Sequence, residues 1–212
     1  MIDAVGIVVV FGVILVSMML HELAHGGVAY LLGDMTAKDD GRLTLNPIKH
    51  LDPVMSIILP LFLYVMGAPV FGGAKPVPVD STKLKGKEWG MAAVAIAGPL
   101  VNFLLALVSF LFMYFNNIGY SDGIIGMVLY EGLFVNLGFM VFNLFPIPPL
   151  DGSRVLYALA PDGVRELMKK LEGVVGIIVV YILIFFFGSV FYGLMTGAMN
   201  GILQFFYWIV GA

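Results

Sequence analysis

Cysteine is absent from this 212-residue chain, and charge is scarce: 12% of residues are Asp, Glu, Lys or Arg, where an average globular domain has about 25%. The first absence excludes disulfides and thiolate metal ligands, so a bound metal would have to be held by His, Asp or Glu. The second excludes an ordinary water-facing surface. No basic tract is present, which removes nucleic acid from the expected partners. A cleavable signal pattern is also lacking, because the first apolar run is too long and has no basic start. Apolar side chains fill the chain instead, at 60% of residues and a mean hydropathy of +1.01, the composition of an integral membrane protein. The net charge of -3 says little about partners, because where the charges fall matters more than their sum.

Histidine is scarce too, and two of the three lie together in Leu20-His21-Glu22-Leu23-Ala24-His25-Gly26, inside an apolar stretch. Four residues on a helix bring side chains to the same face, so both imidazoles can bind one metal ion. Glu22 then stands beside the metal without occupying a ligand position. Two neutral nitrogen ligands, an open coordination position and a carboxylate base are what metal-assisted hydrolysis requires. In a soluble helix this pattern is weak evidence, but three ionisable residues within five positions of a hydrocarbon-spanning helix are costly and mark function.

The apolar run from Ala4 extends to Leu32, roughly 43 Å of helix against a core of about 30 Å, which puts His25 inside the membrane near one face. Residues 34–52 form a polar connection in which Arg42 to Asn46 alternate like a short strand, and His50 reads as an interfacial loop residue without ligand spacing. Residues 53–71 are apolar but broken by Pro53, Pro60, Gly67 and Pro69, either a straight span or a re-entrant segment. The Gly- and Pro-rich stretch to Val79 is extended, an edge strand or loop. Residues 89–115 and 123–145 are spans, with small residues allowing close contact in the first and Gly98-Pro99 predicted to kink it. Asn143 through Gly152 carries three prolines that end the second span and leave carbonyls without helical donors. Residues 153–172 read as an amphipathic interfacial stretch. The uncharged segment 173–211 holds two spans, or one span and a shorter helix, with Gly193, Gly197 and Gly201 as a small-residue ridge.

All 11 Lys and Arg residues lie in three connections: three in 34–52, four in 72–88 and four in 153–172. The positive-inside rule places all three on the cytoplasmic side, which requires 53–71 to dip and return. The same even number of crossings brings Asp151 to the depth of His21 and His25, where it can supply a third, oxygen ligand. The fold expected is an all-α polytopic membrane protein in a single domain, with five to six membrane-embedded helices, a re-entrant segment and a small extended or β element near the site. The N-terminus is then outside, and the site nearer the cytoplasmic face of the cell membrane.

At these residues the chain resembles the site-2 protease family of intramembrane zinc metalloproteases. The His21-Glu22-Leu23-Ala24-His25 helix is similar to that family's metal-binding helix, and Asn143 to Gly152 to its Asn, Pro-rich, Leu-Asp-Gly segment. Gly72-Gly73-Ala74 and Gly98-Pro99-Leu100-Val101-Asn102 resemble two intervening landmarks, so that about residues 10 to 155 are covered. The resemblance implies one Zn2+ per chain on His21, His25 and Asp151, with Glu22 as general base. It implies for Asn143 either polarising the scissile carbonyl or pinning the substrate strand, with capping of the helix end the competing role. Asn102 reads as a helix-contact hydrogen bonder. The chain is a short form without the PDZ or nucleotide-binding regulatory domain of larger members.

The function expected is hydrolysis of peptide bonds within or near transmembrane segments of membrane-protein substrates, with the lipid bilayer as the other partner. A divalent-metal carrier or sensor using the same His and Asp ligands is the alternative, although carriers commonly show internal repeats and a path of polar residues, neither of which is evident. A scaffold without hydrolysis is a third reading, against which Glu22 weighs.

Overall fold

A computed structural model describes residues 4–58, 62 and 73–212. The described residues are predominantly helical and contain no β-strand. Helix α1 runs Ala4–Leu31, α2 is the single turn Thr36–Asp39, α3 runs Lys87–Asn116, α4 Gly123–Asn143, α5 Asp151–Leu159, α6 Asp162–Lys170 and α7 Val174–Ile209. Among the described residues α1, α3, α4 and α7 are long and apolar enough to cross a bilayer. Five to six membrane-embedded helices were expected, and four is the number found among the described residues, with most of 53–71 outside them. Helix α7 is one assigned element with a break in helical geometry at Phe187. Its arms are roughly 20 Å and 33 Å long, so only the second matches the hydrocarbon core by itself, which favours one C-terminal span and a shorter helix.

The end of α1 is fixed by its sequence. Gly33, at φ +104, lets the chain leave the helix in the left-handed region while its N–H reaches the Tyr30 carbonyl and the Asp34 N–H reaches that of Ala29, the paired bonds of a Schellman motif. Asp34 is fully buried just beyond, and its carboxylate accepts from the Thr36 N–H and hydroxyl and from the Asp80 N–H. Burial alone would raise this carboxyl, but those hydrogen bonds outweigh it and hold the group below the usual carboxylate range. One side chain thus ties the end of α1 to the segment that leads into α3.

Helix α3 is the central element, packing against α1, α4 and α5. It can do so because its buried face is built of Gly90, Ala92, Ala95, Ala97 and Gly98 on one half and Ala106 and Phe110 on the other. Small residues allow backbones to approach closely in a medium that supplies no hydrophobic driving force. The half away from the histidines is filled by Phe110, Leu133, Leu137 and Phe206 from α3, α4 and α7. The helix continues through Pro99.

Residues 73–80 carry no regular secondary structure, so of the two readings expected there, edge strand or loop, the loop is found. Pro76 and Pro78 have no N–H to give to a ladder. The Lys75 N–H is taken by the His50 carbonyl and the Val77 N–H by Glu22, so the donors on the other side face the protein. Of the expected re-entrant segment 53–71, Pro53–Ile58 forms a π-helical turn. The remainder, apart from Phe62, lies outside the described residues. The interfacial stretch 153–172 consists of α5 and α6, joined by Arg165, whose guanidinium donates to the Tyr157 and Ala158 carbonyls.

Candidate metal centre

His21 and His25 project from one face of α1 onto α3, and both are buried. Their proximity depends on Gly98: a Cβ there would lie 2.5 Å from His25 Nε2 and 2.6 Å from His21 Nε2. The two rings meet edge to face with centroids 4.6 Å apart, and the Nε2 atoms are 3.0 Å from each other. Asp151 arrives from the opposite direction in sequence, as the first residue of α5. The chain turns back tightly through 144–151, and Gly152 is required there because a Cβ would overlap the Leu144 carbonyl. Asp151 Oδ2 lies 3.1 Å from His21 Nε2 and 3.3 Å from His25 Nε2.

Three ligand atoms therefore converge from two elements 126 residues or more apart, the grouping expected from the sequence. The far nitrogens are occupied: His21 Nδ1 is 2.6 Å from Asn102 Oδ1, and His25 Nδ1 is 2.7 Å from the Val94 carbonyl. A carbonyl only accepts, so His25 Nδ1 carries a proton, and in the neutral ring Nε2 presents its lone pair to the centre. Asp151 Oδ2 is buried without a hydrogen bond, although both imidazoles are within ion-pair distance. Lone pairs and a carboxylate oxygen crowded together without a proton between them are a donor set for a cation. Zinc held by such donors at about 2.0 Å would set tetrahedral neighbours about 3.3 Å apart, and the observed triangle fits it.

Glu22 Oε2 accepts the Val77 N–H at 2.8 Å, so the carboxylate beside the centre is held by the extended segment. That segment is in turn held by Arg42, a buried guanidinium whose Nη2 donates to the Lys75 carbonyl at 2.7 Å, and by the Lys75 N–H on the His50 carbonyl at 2.8 Å. His50, expected as an interfacial loop residue, is buried, and its ring meets the Thr44 carbonyl. Its backbone carbonyl braces the segment at Lys75, and it is not grouped with His21, His25 and Asp151. Asn143, the last residue of α4, donates its Nδ2 to the Phe139 carbonyl one turn back at 3.0 Å. Asn102 makes a helix-contact hydrogen bond, to Asn136, and its oxygen also meets His21 Nδ1. Arg42, Val77, Asn136 and Ser17 were not singled out by the sequence. Ser17 had a signal, since 17, 21 and 25 form a stripe at intervals of four on α1.

No family model and no solved structure matches the chain. Named relatives do. A protein of Bacillus subtilis (strain 168), "Putative zinc metalloprotease YwhC", is 37% identical over 201 residues, covering 91% of this chain and 88% of the relative. The chain belongs to that zinc metalloprotease family. Two proteins named "Putative zinc metalloprotease Rip2" are each 31% identical: one from Mycolicibacterium smegmatis over 80% of this chain and 64% of its own length, the other from Mycobacterium tuberculosis (strain H37Rv) over 87% and 69%. Family membership supports a metalloprotease and implies zinc, and the donor set on α1 and α5 fits that ion.

Proposed function

We propose that the chain is an intramembrane zinc metalloprotease of the site-2 protease kind, cleaving peptide bonds within or near transmembrane segments of other membrane proteins. The observation that carries this reading is the convergence of His21 Nε2, His25 Nε2 and Asp151 Oδ2, beside Glu22, on a helix apolar enough to span a bilayer. His21, His25 and Asp151 would hold one zinc ion per chain. When bound, zinc supplies Lewis acidity, lowering the pKa of water and stabilising the negative charge that develops on the scissile carbonyl oxygen. Glu22 accepts the proton of the attacking water on Oε1, while Val77 fixes the carboxylate through Oε2. Asn143 aids the carbonyl only if its amide leaves Phe139.

A helical substrate hides its carbonyls in its own hydrogen bonds and has to unwind locally before attack. The extended residues 73–80 offer it a place to lie. Because Pro76 and Pro78 have no N–H groups to give, a substrate strand on that side would supply the donors. Spans containing Gly, Asn or Pro are expected to cleave faster than a uniform poly-Leu span. The centre lies toward the cytoplasmic face of the cell membrane, the side to which the Lys- and Arg-bearing connections are assigned.

The test is cleavage of a transmembrane peptide by the purified protein and by Glu22→Gln, with bound zinc measured in both. The variant should keep zinc and lose about 10²–10⁴-fold in rate, the range for a general base. Equal cleavage by both would remove Glu22 from its role. Metal uptake with cleavage by neither would favour the carrier or sensor.

A further inference from the structure

A line of buried amides runs away from the metal centre through three helices. Asn102 Nδ2 donates to Asn136 Oδ1 at 2.7 Å, and Asn136 Nδ2 donates to the Gly132 carbonyl at 2.7 Å and to Ser17 Oγ at 3.0 Å. Ser17, Asn102 and Asn136 are at most 2% exposed, so water does not compete for these bonds. The direction of the line follows from chemistry alone. A backbone carbonyl can only accept, so Asn136 must turn its NH2 toward Gly132 and its oxygen toward Asn102. Asn102 must then answer with its NH2, which leaves its oxygen for His21. His21 Nδ1 therefore carries the proton, and Nε2 faces Asp151 and His25 with a lone pair.

We propose that Asn136, which touches neither ligand nor base, is a positioning residue that fixes the His21 tautomer through Asn102 and so keeps its Nε2 available to the metal. The inference rests on the reading of His21 as a ligand. His25 needs no such device, because its Nδ1 already meets the Val94 backbone carbonyl. An Asn side chain can turn end for end, exchanging its donor and acceptor, whereas a carbonyl cannot. The relay transmits to Asn102 the one-way character of the Gly132 carbonyl.

The competing role for Asn136 is a polar clamp between helices, and a double-variant experiment on the full chain separates the two. Zinc affinity is measured by chelator competition for wild type, Asn136→Leu, Asn102→Asp and the double variant. With Asn102 intact, Asn136→Leu should weaken zinc at least ten-fold, within the 10–100-fold typical of residues behind a ligand. In the Asn102→Asp background the same change should alter affinity less than about two-fold, because either carboxylate oxygen can accept from His21 Nδ1 and no direction is left to fix. Equal losses in both backgrounds, or no loss in either, would overturn the relay. 15N NMR of histidine-labelled protein without metal gives a second readout: His21 should be the Nδ1–H tautomer in wild type and a mixture in the variant. Should Asn136→Leu fail to fold, Asn136→Ser serves, since a hydroxyl that both donates and accepts imposes no direction, and the same mixture is expected. An unchanged tautomer in a folded variant overturns the proposal. Failure of the wild type itself to bind zinc would overturn the metal reading, a distinct result.

Discussion

Gly98→Ala isolates the geometry on which the centre depends. The added methyl would stand 2.5 Å from His25 Nε2 and 2.6 Å from both Nε2 and Cε1 of His21, where ordinary contact begins at 3.4 Å. Both rings would have to retreat by nearly an ångström, whereas metal ligands tolerate about 0.2 Å. Rotating the imidazoles relieves the overlap but withdraws the Nδ1 atoms from Asn102 and Val94. Loss of such a backing bond alone weakens metal binding 10–100-fold. With both rings displaced, zinc affinity should fall by more than about 100-fold. The fold should suffer much less, since Ala is favoured over Gly inside a helix by about 1 kcal/mol, which offsets part of the crowding. The assay is zinc competition against a chelator, paired with thermal unfolding of the metal-free protein. Gly27→Ala is the control, because a Cβ there meets nothing within 4 Å although it lies two residues from His25. Wild-type zinc affinity in Gly98→Ala would refute the packing argument, and an equal loss in Gly27→Ala would show that helix composition rather than contact is responsible.

Three further outcomes are expected. Arg42→Ala removes the donor from the Lys75 and Pro76 carbonyls, costing about 2–3 kcal/mol locally; amide exchange across 73–80 should accelerate and peptide cleavage fall while zinc affinity holds. Asp34 is held below the usual carboxylate range in the folded chain, so its contribution to stability is complete above the unfolded value near pH 4 and is lost as pH falls through the folded value. Asp34→Asn should therefore lower stability at neutral pH and flatten its loss on acidification, as read by thermal unfolding across a pH series. Reporter fusions at Lys49 and Lys85 should appear on the same side of the membrane, and opposite sides would end the re-entrant assignment.

The grouping of His21, His25 and Asp151 was legible because its constraint is local and chemical. The spacing of His21 and His25 fixes a shared helix face, and Asp151 is marked by the prolines that stop α4 before it. The spans 89–115 and 123–145 were legible from hydropathy, and the structure has them as Lys87–Asn116 and Gly123–Asn143. The supports were not legible. Asn136 acts only because α4 sets it against Asn102, and Arg42 only because residues 75 and 76 return beside it; both are long-range pairings with no periodic signature. The burial of His50 was not legible for the same reason, although its place outside the ligand group was. At 73–80 the sequence left edge strand and loop open, and the structure has the loop because the N–H groups that a ladder needs are absent at Pro76 and Pro78 and engaged at Lys75 and Val77.

These supports also bear on whether an ion at the centre is resident or in transit. A carrier has to release its cargo, so its site must bind weakly or change shape, with further sites along the path. Here each imidazole is fixed at its far nitrogen by a buried acceptor, Asn102 for His21 and the Val94 carbonyl for His25. The rings rest against Gly98 with no room behind them, and Asp151 is carried on a turn that Gly152 keeps tight. Among the described residues this is the one group of three ligating side chains, so nothing beside it offers a second stop. The Glu22 carboxylate, by contrast, is held by Val77 of an irregular segment and not by a neighbouring helix. Rigid ligands and an adjustable base are the division of labour that hydrolysis needs, because the metal must stay in place through every turnover while the proton acceptor moves between water and product.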